Sequence, residues 1–294
     1  MSAPEEFRSY LGLSKATISL FAALSAAAGF LLTGQPPGAA FPASIAGVFL
    51  IACGASALNH YQNRKSDSLM PRTAGRPIPA GKIEAVEALR FSLVMVSSGF
   101  AALLLTGVWI APLLGVAAVL WYNGLYTRLK THHAFAAIPG ALVGAIPPAI
   151  GWTAGGGSIS DIRLAAVCFF FFMWQVPHFF IHQQAFGGEY EAIRLPSLTA
   201  IFTAPQLDRL TLQWLLAAMA SLQLLILYGL IRSPLIQISL LATSLGFAAG
   251  GIELIRRNNA SHDPGLFMST NYFMIAVLLL ILADSILCGM GWTH

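Results

Sequence analysis

An all-α protein that crosses a membrane with nine helices is expected from three properties of this sequence: its composition, its long apolar runs and the placement of its positive charges. Charged residues make up 10% of the 294 residues and hydrophobic residues 56%, and the mean hydropathy is +0.71. Soluble domains carry about 25% charged residues, so this composition cannot cover a water-facing surface. Within a bilayer, only helices and closed barrels satisfy their own backbone hydrogen bonds. The runs are too long for barrel strands.

The apolar runs are each close to the ~20 residues that a helix needs to cross the bilayer. The nine predicted spans are 13–33, 41–62, 88–107, 110–127, 135–153, 163–183, 211–232, 234–254 and 270–290. The first run is too long for a signal-peptide core, so we expect it to remain in the protein. We expect residues 1–294 to form one transmembrane domain. The three cysteines lie singly in predicted spans, without the spacing of a disulfide or a metal knuckle.

Positive charge is concentrated in every second connection. Four connections contain neither Lys nor Arg: 34–40, 108–109, 154–162 and 233. The N-terminal segment and the other connections hold Arg8, Lys15, Arg64, Lys65, Arg72, Arg76, Lys82, Arg128, Lys130, Arg194, Arg209, Arg256 and Arg257. Arg163 and Arg232 are the exceptions. The positive-inside rule predicts a cytoplasmic N-terminus, and the lack of a mitochondrial presequence favours a prokaryotic plasma membrane. The net charge of +4 follows from this asymmetry and does not indicate nucleic-acid binding.

Two predicted cytoplasmic connections, about 63–87 and 184–210, are far longer than the two to eight residues usual between helices. At the start of the first, Asn59, Asn63 and Asp67 are spaced by four and share one helical face. Arg72 and Arg76 follow. Oxygen ligands followed by cations are typical of a Mg²⁺ and diphosphate site. The alternative is that the cations only set topology and that the polar residues form a solvated helix end.

The second connection carries Glu189 and Glu191 on the same predicted side of the membrane. These side chains could supply the carboxylate ligands that the first connection lacks. They could equally be solvated surface charges.

The sixth predicted span contains Trp174, Gln175, His178 and His182 near its cytoplasmic end. Polar groups inside a span normally face the bundle interior or a cavity, because exposure to lipid costs free energy. His178 and His182 lie one turn apart on one face. They could line a pocket for a large planar or anionic substrate, ligate a metal, or serve as hydrogen-bonded packing residues.

Several sequence blocks resemble one known family. The stretch from Asn59 to Lys82, NHYQNRKSDSLMPRTAGRPIPAGK, is similar to the first signature of the UbiA superfamily of intramembrane prenyltransferases. Within that superfamily the chain resembles the haem O synthase, or protoheme IX farnesyltransferase, family. The blocks that carry this resemblance are MPRTAGRPIPAG, YTRLK, GAIPPAIGW, WQVPHF with the following EY pair, and LFMSTNYF. They keep the family's order and approximate spacing over most of the chain.

The resemblance implies a fold and a reaction. The fold is a nine-helix bundle in the lipid bilayer with a central cavity open to the cytoplasmic side. In the reaction, Mg²⁺ holds farnesyl diphosphate, the C–O bond ionises, a vinyl group of haem b attacks the allylic cation, and water completes haem O. Haem A synthase or oxidase assembly factors are the expected protein partners.

The resemblance places Asn59, Asp67, Arg72, Arg76, Lys130, His178 and Glu189 at positions of the family's motifs. From these matches and the patterns above, we expect catalytic and metal-binding roles for Asn59, Asn63, Asp67 and Glu189. We expect substrate-binding roles for Arg72, Arg76, Tyr126, Lys130, Trp174, Gln175, His178 and His182, the last of which stands where the family usually has a small or aliphatic residue.

The chain also departs from the family pattern. Asn63 stands where the family usually has Asp or Glu, His60 and Lys65 stand where Asp is common, and Glu189 replaces an Asp. Two alternatives therefore stay open. One is a UbiA-type enzyme with another acceptor, such as a quinone precursor. The other is a weakened homologue that binds haem or an isoprenoid without turnover.

Overall fold

The protein is a bundle of helices, described by a computed structural model for residues 3–256 and 264–289; no strand occurs among these residues. The α-helices are α1 (Ala3–Ser14), α2 (Ala16–Leu31), α3 (Ala40–Asp67), α4 (Pro71–Ala74), α5 (Ala85–Leu104), α6 (Ile110–Val119), α7 (Thr127–Leu129), α8 (Ala137–Ala154), α9 (Ile162–Ala192), α10 (Ala204–Leu227), α11 (Pro234–Arg256) and α12 (Pro264–Gly289). A π-helical segment, Leu120–Tyr126, joins α6 to α7, and a 3₁₀ turn, Ala134–Ala136, precedes α8. Arg257, predicted to lie in a positive connection, is outside the described residues.

The predicted membrane architecture is confirmed. Among the described residues, eight continuous helical stretches are long and apolar enough to cross a bilayer: Ala40–Asp67, Ala85–Leu104, Ile110–Leu129, Ala134–Ala154, Ile162–Ala192, Ala204–Leu227, Pro234–Glu253 and Gly265–Cys288. The pair α1 and α2, which meet at a bend of 50°, meets the same criteria when taken together, and counting it as one span gives nine. Lys15 sits at this bend with φ 45° and ψ 52°, a left-handed conformation that interrupts the helix.

The two long connections are shorter than predicted, because α3 and α9 continue as helices past the ends of their apolar runs. α3 reaches Asp67 and α9 reaches Ala192, so Glu189 lies on a helix and not in a loop. Side-chain to backbone hydrogen bonds accompany the polar extension of α3: Asn63 Nδ2 donates to the Asn59 carbonyl at 2.7 Å, and Ser66 Oγ to the Asn63 carbonyl at 2.9 Å. The apolar run in the sequence therefore predicts the part of the helix within the bilayer, but not the full length of the helix.

Small residues allow the central helices to approach closely. A Cβ atom on Gly151 of α8 would overlap the carbonyl oxygen of Ala26 on α2, and one on Gly29 of α2 would overlap that of Pro148. Between α3 and α5, a Cβ on Gly99 would lie 2.8 Å from the Gly47 carbonyl oxygen. These contacts fix α2 against α8 and α3 against α5, and so set the position of the polar end of α3.

Candidate active site

The end of α3 carries three buried polar side chains on one face. Asn59, Asn63 and Asp67 are 3%, 6% and 3% exposed. Asn59 Nδ2 donates to Thr127 Oγ1 at 2.9 Å, and Asn63 Nδ2 donates to the Asn59 carbonyl at 2.7 Å. Because both amide nitrogens are engaged as donors, the amide oxygens are the atoms that can face a cation.

Asp67 is held by the segment that follows it. Its Oδ2 accepts a hydrogen bond from Arg76 Nη1 at 2.7 Å, and its carbonyl accepts one from Thr73 Oγ1 at 2.8 Å. These contacts fold α4 back over the end of α3. The Asp67 side chain is 4% exposed and that of Arg76 24%, so a buried carboxylate is balanced by a cation that reaches toward solvent.

Glu189 meets the same segment from α9. The backbone N–H of Arg72 donates to Glu189 Oε2 at 3.4 Å, and Arg72 Nε lies 4.0 Å from that oxygen. Arg72 is adjacent in the chain to Thr73, which bonds to Asp67. The structure thus brings the C-terminal ends of α3 and α9 together on either side of α4.

Glu191, a possible extra ligand from its sequence position, is bonded to the loop that follows α9. Its Oε1 accepts hydrogen bonds from Ser197 Oγ and Thr199 Oγ1, both at 2.7 Å. The carboxylate therefore holds the loop after α9 against the helix end.

Cations surround this region. Burial, and then the positive charge of Lys15, lower the pKa of Lys130 from 10.5 to about 8. Asp67 opposes this shift, whereas Arg76 and Arg72 add to it. The four cations therefore act on one volume together with Asp67 and Glu189, and positive charge is in excess.

Lys15, which was expected only as a topological charge, is a further candidate site residue, since it acts electrostatically on Lys130. It enters the region from the bend between α1 and α2. A lysine within the first predicted span was the available signal, because an ionisable residue inside a span marks a functional position more often than a structural one.

Aromatic rings lie next to the charged region in the bundle. Tyr126 lies at the end of the π-helical segment, stacked between Tyr122 and Phe179 with ring centroids 5.8 Å apart on each side. π-helical turns are frequent at functional sites. Asn123 fixes this segment to α3, since its Nδ2 donates to the Ala55 carbonyl at 3.0 Å.

The histidines of α9 belong to an aromatic cluster shared with α12. The His178 ring stacks on Trp174 at 5.1 Å and lies 4.7 Å from Phe267. His182 lies 4.9 Å from Phe186. The Arg72 guanidinium sits 4.7 Å over the Phe186 ring, so this cluster adjoins the charged region directly.

Gln175 packs against α8, where a Cβ on Gly144 would lie 3.0 Å from Gln175 Oε1.

Two buried nitrogen atoms near this cluster lack a hydrogen-bond partner among the described residues: Trp174 Nε1 and Arg72 Nε. Buried donors are normally paired, so these two nitrogens mark surfaces that a ligand would complete.

The donor set fits Mg²⁺ bound together with a diphosphate. Within residues 3–256 and 264–289, no group of three His, Cys, Asp or Glu side chains could hold a metal, which leaves the suggested metal role of His178 and His182 unsupported. Mg²⁺ usually takes one or two carboxylates and completes its shell with substrate phosphates and water. Asp67, Glu189 and the two amide oxygens offer that minimal set, beside cations suited to phosphate oxygens.

A separate cavity of about 550 Å³ opens at the surface beside the turn that follows α7. It is lined mainly by apolar side chains, with His132, His133 and Phe135 on one side and Pro196 and Ile201 on the other. None of the predicted site residues lines it, so the candidate active site rests on the polar contacts above.

Comparison with known proteins identifies the class. The UbiA prenyltransferase family profile matches residues 19–283. The chain belongs to this family, and it is a multi-pass membrane protein of the prenyltransferase class. The nine-span bundle and the polar ends of α3 and α9 agree with that membership.

Several relatives carry one name. A protoheme IX farnesyltransferase of Oleidesulfovibrio alaskensis is 33% identical over 263 residues, covering 89% of this chain and 91% of that protein. Another from Geobacter sulfurreducens is 36% identical over 76% of this chain and 82% of its own length. A third, from Trichodesmium erythraeum, is 31% identical over 95% of this chain and 86% of that protein.

Solved structures share the fold. A UbiA homologue from Aeropyrum pernix superposes with a TM-score of 0.72 at 19% identity, covering 92% of this chain and 98% of that one. A UbiA homologue from Archaeoglobus fulgidus, bound to GPP and Mg²⁺, gives a TM-score of 0.70 at 14% identity, covering 94% and 99%.

Proposed function

We propose that this protein transfers the farnesyl group of farnesyl diphosphate to a vinyl group of haem b, forming haem O. The observation that carries the proposal is the meeting of α3 and α9 at α4, where Asp67 and Glu189 share a cation-rich volume beside the aromatic cluster of His178. The full-length relatives named protoheme IX farnesyltransferase support this choice of donor and acceptor.

The charged region binds the leaving group. Asp67 and Glu189, with the amide oxygens of Asn59 and Asn63, would hold Mg²⁺, which neutralises charge on the diphosphate. Arg72, Arg76, Lys130 and Lys15 would contact the remaining phosphate oxygens. Because these groups are fixed by the fold before the substrate arrives, they stabilise the charge that develops as the C–O bond breaks. Binding requires Arg76 to exchange its Asp67 partner for phosphate.

The aromatic level protects the allylic cation. Tyr122, Tyr126 and Phe179 present stacked rings next to the charged region, and ring faces attract a cation. Their apolar surface keeps water from the cation until the acceptor reacts.

The cluster around His178 receives the acceptor. His178, Trp174 and Phe267 together form an aromatic surface suited to a large planar ring system. The terminal vinyl carbon bonds to farnesyl C1, which leaves a cation on the carbon attached to the porphyrin. Water adds to that carbon and loses a proton, completing the hydroxyethylfarnesyl group. The full-length relatives named protoheme IX farnesyltransferase favour haem over a single-ring quinone precursor.

The cellular setting is part of the proposal. The positive connections favour a cytoplasmic N-terminus and a charged region on the cytoplasmic side of a prokaryotic plasma membrane. Product would pass within the bilayer to haem A synthase or to oxidase assembly factors. Residues 1–294 are proposed to act as one domain.

The test is a reconstituted reaction. Purified protein in lipid nanodiscs, supplied with Mg²⁺, farnesyl diphosphate and haem b, should form haem O, identified by mass. Omission of Mg²⁺ or replacement of haem b by 4-hydroxybenzoate should give no product. Product with 4-hydroxybenzoate alone would assign another acceptor, and haem binding with no product from either acceptor would assign a handling role.

A further inference from the structure

His60 is a buried histidine that the fold leaves without a partner. Its side chain lies on α3, and the residue is only 2% exposed. Neither ring nitrogen has a hydrogen-bond partner among the described residues. Buried side-chain polar atoms are paired in the large majority of cases, because an unmade hydrogen bond costs free energy. A histidine with both nitrogens unpaired therefore needs an explanation outside the fold itself.

The helical position of His60 connects it to the candidate site. His60 precedes Asp67 by seven residues, which at 100° per residue places the two side chains within about 20° of each other around the helix axis. At 1.5 Å per residue, His60 lies about 10 Å deeper in the bundle than Asp67 and level with Asn59. The imidazole of His60 therefore lies on the same face of α3 as the side-chain oxygen atoms of Asn63 and Asp67, but deeper in the bundle.

Three cations act on the His60 ring: Lys15 from the bend between α1 and α2, Arg76 from the segment after α4, and Lys130 from the end of α7. An unpaired polar ring close to three cations is a suitable place for an anion. A neutral imidazole carries one ring N–H, which can donate a hydrogen bond to such an anion.

We propose that His60 binds the diphosphate of the prenyl donor directly, donating a hydrogen bond from a ring nitrogen to a phosphate oxygen. This inference rests on the proposed function. It divides the site into two sides: the oxygen atoms of Asn63, Asp67 and Glu189 face the metal, whereas His60 with Lys15 and Lys130 faces the phosphate oxygens. The unpaired nitrogen becomes paired only when substrate is bound.

The experiment measures binding of inorganic diphosphate with Mg²⁺ to the detergent-purified protein by calorimetry. His60→Ala should weaken binding by about ten- to a hundredfold, the usual worth of a hydrogen bond to a charged group. His60→Asn and His60→Gln carry an amide N–H close to the positions of Nδ1 and Nε2. One of these two variants should retain affinity within about threefold of the unaltered protein.

Thr211→Val is the matched control. Thr211 Oγ1 is another buried atom without a hydrogen-bond partner, and it lies on α10, which carries no candidate site residue. This variant should bind diphosphate normally. Without ligand, His60→Ala should have a somewhat lower Tm than the unaltered protein, because it loses buried packing but no native hydrogen bond. The rise in Tm that diphosphate produces should shrink.

The outcomes separate this inference from the proposed function. If the unaltered protein does not bind diphosphate, the proposed function fails. If it binds and His60→Ala binds equally well, the role of His60 is overturned. The role is also overturned if Ala, Asn and Gln variants all lose affinity alike, because His60 would then be needed for its shape. Should the Ala variant fail to fold, the Asn and Gln variants decide the question alone.

Discussion

Two of the buried aspartates, Asp67 and Asp284, are held by different partners, and we propose that they belong to a functional and a structural end of the bundle. Both are nearly inaccessible, at 3% and 4% exposure. Asp284 of α12 accepts hydrogen bonds from the backbone N–H groups of Arg232 and Ser233, at 2.8 to 3.2 Å, just before α11 begins. Asp67 is instead neutralised by the side chain of Arg76.

The two carboxylates differ in whether their hydrogen-bond partners can move away. Backbone donors at the start of a helix are fixed by the fold, so Asp284 stabilises the turn between α10 and α11 and stays there. A long, partly exposed arginine side chain can move. Asp67 can therefore release Arg76 and accept a metal ion without disturbing the helices.

The largest expected effect is on turnover in Asp67→Asn. Removing this negative charge should lower haem O formation by roughly 10²- to 10³-fold, the usual loss when one preorganised electrostatic group is removed from an active site. The measurement is product mass per unit time with saturating Mg²⁺. Asp284→Asn is the matched control and should keep turnover within about threefold; equal loss in both variants would contradict the division between the two ends.

For the free energy of unfolding, substitution of Asp284 should have a larger effect than substitution of Asp67. Asp284→Ala leaves two backbone N–H groups unpaired at the start of α11, so it should reduce the free energy of unfolding by about 1–3 kcal/mol. Thermal unfolding in detergent measures this change, with Asp67→Asn as comparison. A lower Tm for Asp67→Asn than for Asp284→Ala would show that Asp67 is the structural member of the pair.

The sequence was sufficient to predict the membrane fold, because span length and charge asymmetry follow from the bilayer. It was less successful with the ends of α3 and α9, which continue for several polar residues beyond the apolar runs. Those extensions depend on local hydrogen bonds and on packing under α4, and hydropathy reports neither. The bend at Lys15 was missed because its left-handed backbone has no signature in residue type.

The spacing of the candidate site residues on α3 was predictable from the sequence, but their pairing with other segments was not. Helical spacing placed Asn59, Asn63 and Asp67 on one face, as the structure has them. The meeting of Arg76 with Asp67 and of Arg72 with Glu189 depends on how α4 folds back, which involves partners 9 and 117 residues apart. The capture of Glu191 by Ser197 and Thr199 depends on a loop conformation that spacing does not encode.

Lys130 should make diphosphate affinity depend on pH. Its pKa of about 8 means that it is mostly charged at pH 7 and mostly neutral at pH 9. If binding requires the charged form, affinity should fall about tenfold between these values. Lys130→Arg should reduce the fall, since arginine keeps its charge, and Lys15, the other lysine of this region, accounts for any part that remains. Calorimetry at both pH values measures it, and an equal decline in Lys130→Arg would assign the titration elsewhere.

The same lysine should affect stability in the opposite direction. The unfolded chain, with a lysine pKa near 10.5, binds more protons than the folded protein between about pH 8 and pH 10.5. Stability from this group therefore rises with pH across that window. Substrate affinity and Tm should thus diverge as pH increases, whereas a purely structural Lys130 would change Tm alone.

Asn63→Asp should produce the smallest change in activity. It tests whether charge at the end of α3 limits metal binding. A carboxylate at this position adds a charged oxygen ligand beside Asp67, so the Mg²⁺ concentration needed for half-maximal activity should fall a few-fold, with turnover equal or higher. The amide nitrogen of Asn63 donates to the Asn59 carbonyl, and that bond is lost; Asn63→Ala loses the same bond without gaining charge and is the control. A large loss of activity in Asn63→Asp, matched by Asn63→Ala, would mean that the amide donor orders the end of α3 and that charge at this position is not what limits metal binding.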